Sequence, residues 1–270
     1  MTPPDAPTDY LASLVASKVG IESKSPQKTV HLAIETTGQS GSLALLMGDT
    51  VLQTTQLGSD QRTASSLAPA LDQMLGWACK SDCRVGFVSV AQGPGSFTGL
   101  RIGITTAKTL CYATSLPLIG IDSVAAVAAA YFAQEDSCDQ VLVGLNAYRG
   151  QVFTGQFQRE SLLPALPDVP AAATGIDGNR SENMEDRVSI VDQEQWLTLL
   201  GNLPGSQVCV GDAKMFAKSE RAKFQQRQIS DAVGVGQLAI RAAMAGAFRD
   251  PMTLVPRYLK PSAAEENLRS

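Results

Sequence analysis

The sequence predicts an α/β protein of two lobes, each a mixed sheet flanked by helices. Three observations carry this reading: short apolar runs separated by compact turns, helix-period stretches placed between them, and a second half that opens on a hairpin like the first.

In chain order, residues 30–35 are mostly apolar and end in Glu35, after which Thr36, Thr37 and a turn over residues 38–41 reverse the chain. Residues 42–47 and 51–56 flank Gly48-Asp49-Thr50, so three consecutive antiparallel strands are expected. Leu67, Leu71, Met74, Leu75 and Ala78 then recur at helical spacing, with Pro69 early enough to fall in the first turn. Residues 84–92 form a β-branched-rich strand, Gly93-Pro94-Gly95 a turn, and residues 98–115 a second helix that stops before Pro117. Residues 118–121 add a strand and a further helix starts near Ser123. By analogy of element order, the first lobe is that of an actin-like or ribonuclease-H-like fold.

The second half opens on strand-like residues 140–145 and 151–158 around the turn 146–150, which implies a smaller second lobe. Residues 162–187 carry prolines, glycines and acids with little periodicity and read as a loop insertion. Residues 208–210 precede Gly211-Asp212 as a buried strand end, and residues 237–248 form an alanine-rich helix. The expected organisation is a disordered leader over 1–28, an N-terminal lobe over 29–122, and a C-terminal lobe over 123–260 with an insertion at about 160–190. A loose tail over 261–270 completes it.

At 270 residues with 44% hydrophobic content the chain can build a substantial core. Its net charge of -4 argues against gripping a nucleic-acid backbone unaided, so any RNA contact is expected to be local or shared. Lys214, Lys218, Arg221, Lys223 and Arg227 make the notable basic stretch, read as a solvated helix face or a local nucleic-acid contact. Five cysteines without paired spacing fit a reducing cytoplasm, and no run reaches the length of a membrane span. The single histidine, His31, makes a histidine-pair metal site impossible and is expected to be satisfied within its strand. Cys79 and Cys83 are expected to pack rather than to hold zinc.

The densest signal is the glycine-rich turn between strand and helix at residues 92–103. A helix N-terminus with glycines at Gly93, Gly95 and Gly99 and a hydroxyl at Ser96 invites phosphate. The spacing matches neither common phosphate loop, so turning and packing is the competing reading. Gly99, Gly103, Ala107 and Cys111 lie four apart, giving one helix face of small side chains that a partner helix or a segment of the same chain could approach.

Residues 93–103 are similar almost letter for letter to a segment of the TsaB (YeaZ) family. Glu35-Thr36-Thr37, residues 118–123, residues 146–150 and residues 256–261 resemble further family segments in the same order, so the resemblance covers most of residues 30–262. It implies a two-lobed actin-like fold and a non-catalytic scaffold and activator for a TsaD-like subunit. That subunit would transfer threonylcarbamoyl to the adenosine 3′ of the anticodon in tRNA. It further implies that the first two helices form the partner face, mapped here to Leu67, Leu71, Leu75, Gly99, Gly103, Thr106 and Ala107. No catalytic residue and no cofactor of its own is implied, since ATP and metal belong to partner subunits. A TsaE-like ATPase would join through the complex, tRNA would be met indirectly, and a homodimer could compete with the heterodimer.

The chain departs from the family pattern at Glu35, where aspartate is common, and at Asn146, Gln151, Thr63 and Ser65, where relatives often carry acids or a histidine. The rival reading is a stand-alone actin-like ATPase or phosphotransferase, with Glu35 or Asp212 near Mg²⁺ and the turn 93–99 near phosphate.

Overall fold

A computed structural model describes residues 28–38, 40–58, 63–166, 187–204, 207–212 and 232–260. The expected leader up to residue 27, most of the expected insertion, the basic stretch from Lys214 to Arg227 and the tail from residue 261 lie outside these. The elements are β1 (Lys28–Glu35), β2 (Ser42–Met47), β3 (Thr50–Gln56), α1 (Thr63–Lys80), β4 (Cys83–Gly93), α2 (Phe97–Thr114), β5 (Leu118–Asp122) and α3 (Ser123–Phe132). They continue as β6 (Gln140–Asn146), β7 (Val152–Gln158), the single turn α4 (Arg159–Leu162), β8 (Val188–Val191), α5 (Gln193–Gly201), β9 (Val208–Gly211) and α6 (Ala232–Met244).

The first sheet has the order β3-β2-β1-β4-β5. Its first three strands are antiparallel neighbours, whereas β1, β4 and β5 run parallel. Alternation along β1 sets its two faces. Val30, Leu32 and Ile34 join Val88, Val90 and the buried residues of α1 and α2 in one core. Ala33, with Ala44, Leu46, Phe87 and Ala91, faces the opposite way into a second core built with α3 and α6.

That second core continues into the other sheet, of order β8-β7-β6-β9, through Val141, Val143, Phe153, Phe157 and Val210. On the far side of this sheet Trp196 and Leu200 of α5 cover Leu142, Val152 and Cys209. The result is a stack of α1 and α2, first sheet, α3 and α6, second sheet, then α5, the layered arrangement of actin-like two-lobed folds. All ten residues of α3 are buried because it lies between the sheets.

α6 begins five residues earlier than its sequence pattern predicts, because Gly234 and Gly236 are packing positions and not breakers. A Cβ on Gly234 would lie 1.9 Å from the Ala126 carbonyl oxygen, and one on Gly236 would lie 2.3 Å from the Leu46 side chain. The helix packs across β1, β2 and β5, so the C-terminal part of the chain completes the N-terminal sheet. β8 and α5 are additions to the predicted elements. Among the described residues no helix is long and apolar enough to cross a membrane.

Candidate functional site

The glycine-rich turn leaves β4 at Gly93, in the left-handed region at φ +117, where its N–H donates to Ser123 Oγ at 3.1 Å. A Cβ there would lie 2.5 Å from the Arg257 carbonyl oxygen. Ser96 caps α2, its Oγ accepting from the Gly99 N–H at 3.2 Å while its own N–H donates to the Thr37 carbonyl at 2.9 Å. The glycines that follow are matched to the β1–β2 connection. Cβ atoms on Gly95, Gly99 and Gly103 would lie 2.5 Å from Thr37 Cβ, 1.9 Å from the Thr36 carbonyl oxygen and 2.2 Å from Thr36 Oγ1. Thr36 Oγ1 in turn donates to the Gly99 carbonyl at 2.8 Å.

These contacts correct the predicted partner face. The small-residue face of α2 is filled by Thr36 of the same chain, and Gly99, Gly103 and Ala107 are buried there. Leu67 and Leu71 of α1 are buried in the same core, which leaves Leu75 and Thr106 as the half-buried members of the predicted set. Ile102 and Leu110, one turn on either side of Thr106, share its degree of burial.

The predicted phosphate-facing residues divide similarly, with Gly93 and Gly99 buried and Gly95 and Ser96 half-buried. The Ser96 cap and the Thr37 carbonyl already engage donors that an anion at this helix start would use. Glu35 is fully buried, and its Oε1 accepts from the Thr37 N–H at 2.6 Å and from Thr37 Oγ1. It therefore shapes the turn that clamps α2. Asp212, also buried, sits just past β9 with its N–H on the Gly144 carbonyl. No group of three or more potential metal ligands occurs among the described residues.

Behind the turn lies a cleft of about 320 Å³ walled by Phe97, the β6–β7 turn and residues 257–260. A C-terminal strap over residues 249–260, whose last part from Pro256 onward marked the resemblance without showing its position, binds across the first sheet. The Arg249 N–H donates to the Leu118 carbonyl, the Arg257 N–H to the Gln92 carbonyl, and the Arg257 guanidinium pairs with Asp122. Asp122 caps α3 with its other oxygen, accepting from Val124 and Ala125 at 2.8 Å. Tyr258 stacks on Phe97 at 4.8 Å between ring centroids.

The single histidine, Cys111 and Cys209 are buried. His31 stacks on Phe87 at 4.6 Å, its Nε2 lies 3.1 Å from the Gly48 carbonyl, and burial lowers its pKa to about 4. Burial pushes the Cys111 thiol up to about 12 and the Cys209 thiol to about 11. Cys83 is a half-buried free thiol, whereas Cys79 is exposed and does not pack as the sequence suggests.

Residues 59–184 match the family model described as "TsaD: tRNA N6-adenosine threonylcarbamoyltransferase". The chain is 32% identical over 139 residues to the tRNA threonylcarbamoyladenosine biosynthesis protein TsaB of Bacillus subtilis (strain 168), a match covering 51% of this chain and 59% of that protein. It is 31% identical over 129 residues to the TsaB protein of Escherichia coli (strain K12), covering 48% and 55%. The matched part thus spans somewhat over half the length of these relatives. Over 201 residues it is 26% identical to TsaB of Buchnera aphidicola subsp. Schizaphis graminum (strain Sg), covering 74% and 87%. In fold it is similar to the solved structure titled "YeaZ from Pseudomonas aeruginosa", with a TM-score of 0.61, 20% identity, and coverage of 85% of this chain and all of that one.

Proposed function

Starting from a chain that groups with the TsaB (YeaZ) family in sequence and fold, we propose that it takes part in threonylcarbamoyladenosine modification of tRNA as a scaffold and activator for a TsaD-like catalytic subunit. The observation that carries the scaffold part is the closure of the glycine-rich turn on its own chain. Thr36 and Thr37 fill the space where a phosphate would approach, and Ser96 caps the helix that would bind it. A turn so occupied favours rigid presentation of α1 and α2 over nucleotide turnover.

The partner would meet the outer surface of these helices, where Leu75, Ile102, Thr106 and Leu110 remain half-buried. These are apolar or small groups that a partner could cover, in place of the buried residues the sequence selects. The transfer chemistry, its ATP and its metal would belong to partner subunits, with a TsaE-like ATPase joining through the complex.

The test is co-purification with the TsaD-like protein of the same organism and a tRNA modification assay with and without this chain. Stable pairing with chain-dependent modification supports the proposal. Turnover of ATP by the purified chain, lost in Glu35→Gln, would instead establish the lone ATPase. Thr106→Arg is expected to abolish pairing while leaving the thermal unfolding midpoint of the free chain close to that of the unsubstituted protein.

A further inference from the structure

We propose that the outer edge of β3 pairs with the same edge of a second copy of this chain, joining the two first sheets into one continuous sheet. The inference goes beyond the scaffold reading and does not depend on it. β3 is the last strand in the order β3-β2-β1-β4-β5, so one side of its backbone has no neighbouring strand. The opposite edge of the same sheet is closed, because Leu118 of β5 bridges to Arg249 of the strap, whose N–H donates to the Leu118 carbonyl.

The register shows which groups face outward. The Leu57 N–H donates to the Gly41 carbonyl at 2.8 Å, and the pairing runs on through Gln56 with Ser42, Thr55 with Leu43, Thr54 with Ala44 and Gln53 with Leu45. Along an antiparallel pair, hydrogen-bonded and non-hydrogen-bonded positions alternate. Leu57, Thr55 and Gln53 therefore bond to β2, whereas the N–H and carbonyl groups of Thr54 and Gln56 point away from it. Among the described residues no backbone bond beyond the strand ladder involves Thr54 or Gln56, and both residues are exposed.

Nothing on this edge discourages pairing. β3 reads Thr-Val-Leu-Gln-Thr-Thr-Gln, without the charges or proline by which edge strands ordinarily keep other strands away. A register shift opposite Leu45 and Leu46 leaves Leu52 as an extra residue near the turn, and the stretch from Gln53 to Leu57 is regular. The carboxylate of the β2–β3 turn, Asp49, is held by the Arg241 guanidinium at 2.7 and 3.0 Å, so its charge is offset.

A second copy is the occupant these features fit. An antiparallel pair with its two-fold axis at Thr55 sets Thr54 opposite Gln56 of the second copy and Gln56 opposite its Thr54. Each such pair exchanges two main-chain hydrogen bonds, which satisfies every outward group of both residues. On one face the opposed side chains are threonine and glutamine, polar and uncharged; on the other Thr55 meets Thr55, a pair that sheets favour. The contact is isologous, so it closes at two copies and leaves no edge exposed between them. A strand bringing charges would find no counter-charge on this stretch.

The experiment is sedimentation equilibrium of the full chain from about 1 to 100 μM, a span that covers dissociation constants in the micromolar range. A dimer is expected. Thr54→Pro should weaken it by about tenfold or more with the thermal unfolding midpoint little changed, because the N–H it removes does not bond to β2. Thr54→Lys with Gln56→Lys sets like charges opposite each other and should also weaken it by about tenfold. Thr54→Lys with Gln56→Glu sets opposite charges in the same places and should restore the affinity of the unsubstituted chain or exceed it.

A monomer throughout the range would overturn the proposal. So would a dimer indifferent to the double lysine variant, or a lysine–glutamate variant no tighter than it, since either result would place the contact elsewhere; these two variants decide the matter if Thr54→Pro unfolds the chain. Thr106→Arg, on the outer surface of α2, is expected to leave the dimer intact, and dissociation by it would assign the contact to the helices and overturn the edge pairing. Every β3 variant is expected to retain pairing with the TsaD-like protein. Loss of that pairing would make the edge that protein's site and overturn self-pairing while leaving the scaffold reading intact.

Discussion

Each sheet begins with a hairpin, and the two hairpin turns have opposite fates. After β1 the chain turns inward: Glu35, Thr36 and Thr37 are buried, bonded to one another and to α2, and matched by glycines that leave no room for a side chain. After β6 the chain turns outward: Ala147 is buried, but Tyr148, Arg149 and Gly150 stand in solvent on a left-handed backbone. A shared topological position therefore does not fix a shared role. In the first lobe the turn has become a structural clamp, whereas in the second it presents side chains.

The largest expected effect tests the clamp. Gly99→Ala should destabilise the protein by about 3 kcal/mol or more in urea or thermal unfolding, because the new methyl meets the Thr36 backbone and neither side can yield cheaply. Near-normal stability would show that the α2 face is open after all.

Acid should separate the hairpins next. Burial holds folded His31 near a pKa of about 4, below its ordinary 6.5, so the unfolded chain binds the extra proton as pH falls. Stability is full above about 6.5, declines as pH drops through that window, and levels off below about 4, a loss on the order of 3 kcal/mol. β6 has no titratable side chain, so between pH 6.5 and 4 the protection factors for hydrogen exchange should fall in β1–β3 before β6–β7. An equal fall in both would break the contrast, and His31→Phe should flatten the pH dependence of global unfolding.

Thr36→Val keeps the shape but removes the hydroxyl that reaches the Gly99 carbonyl, and should cost about 1–2 kcal/mol. The smallest effect belongs to the outward turn. Tyr148→Gly should change stability by no more than about 0.5 kcal/mol, since it removes an exposed ring from a backbone that glycine adopts readily. A large loss there would mean that this turn is a clamp too.

Most strands and the two helices of the first lobe were legible because their apolar periods are clean and Gly or Pro marks their ends. The small face of α2 was legible as well, but what fills it was not: Thr36 lies 63 residues before Gly99, and nothing local links them. The start of α6 was hidden because glycines that permit close approach are written like glycines that end helices. α5 had a readable signal in Asp192 and Gln195, which form a capping box in the structure. The cleft behind the glycine-rich turn gathers Phe97, Tyr148 and Tyr258 from three distant stretches of chain, and such a convergence has no period for a sequence to display.

The placement of α6 has a consequence for synthesis on the ribosome. All five strands of the first sheet have been made once residue 122 is joined, yet the apolar face bearing Ala33, Ala44, Leu46 and Phe87 is covered by a helix that begins at Ala232. At translation rates of about 5–20 residues per second, the intervening stretch takes roughly 5–20 seconds to appear. For that interval the nascent chain carries a finished set of strands whose oily side is covered by α3 alone, a natural target for a holding chaperone and a point at which crowded polysomes would favour association between neighbouring chains.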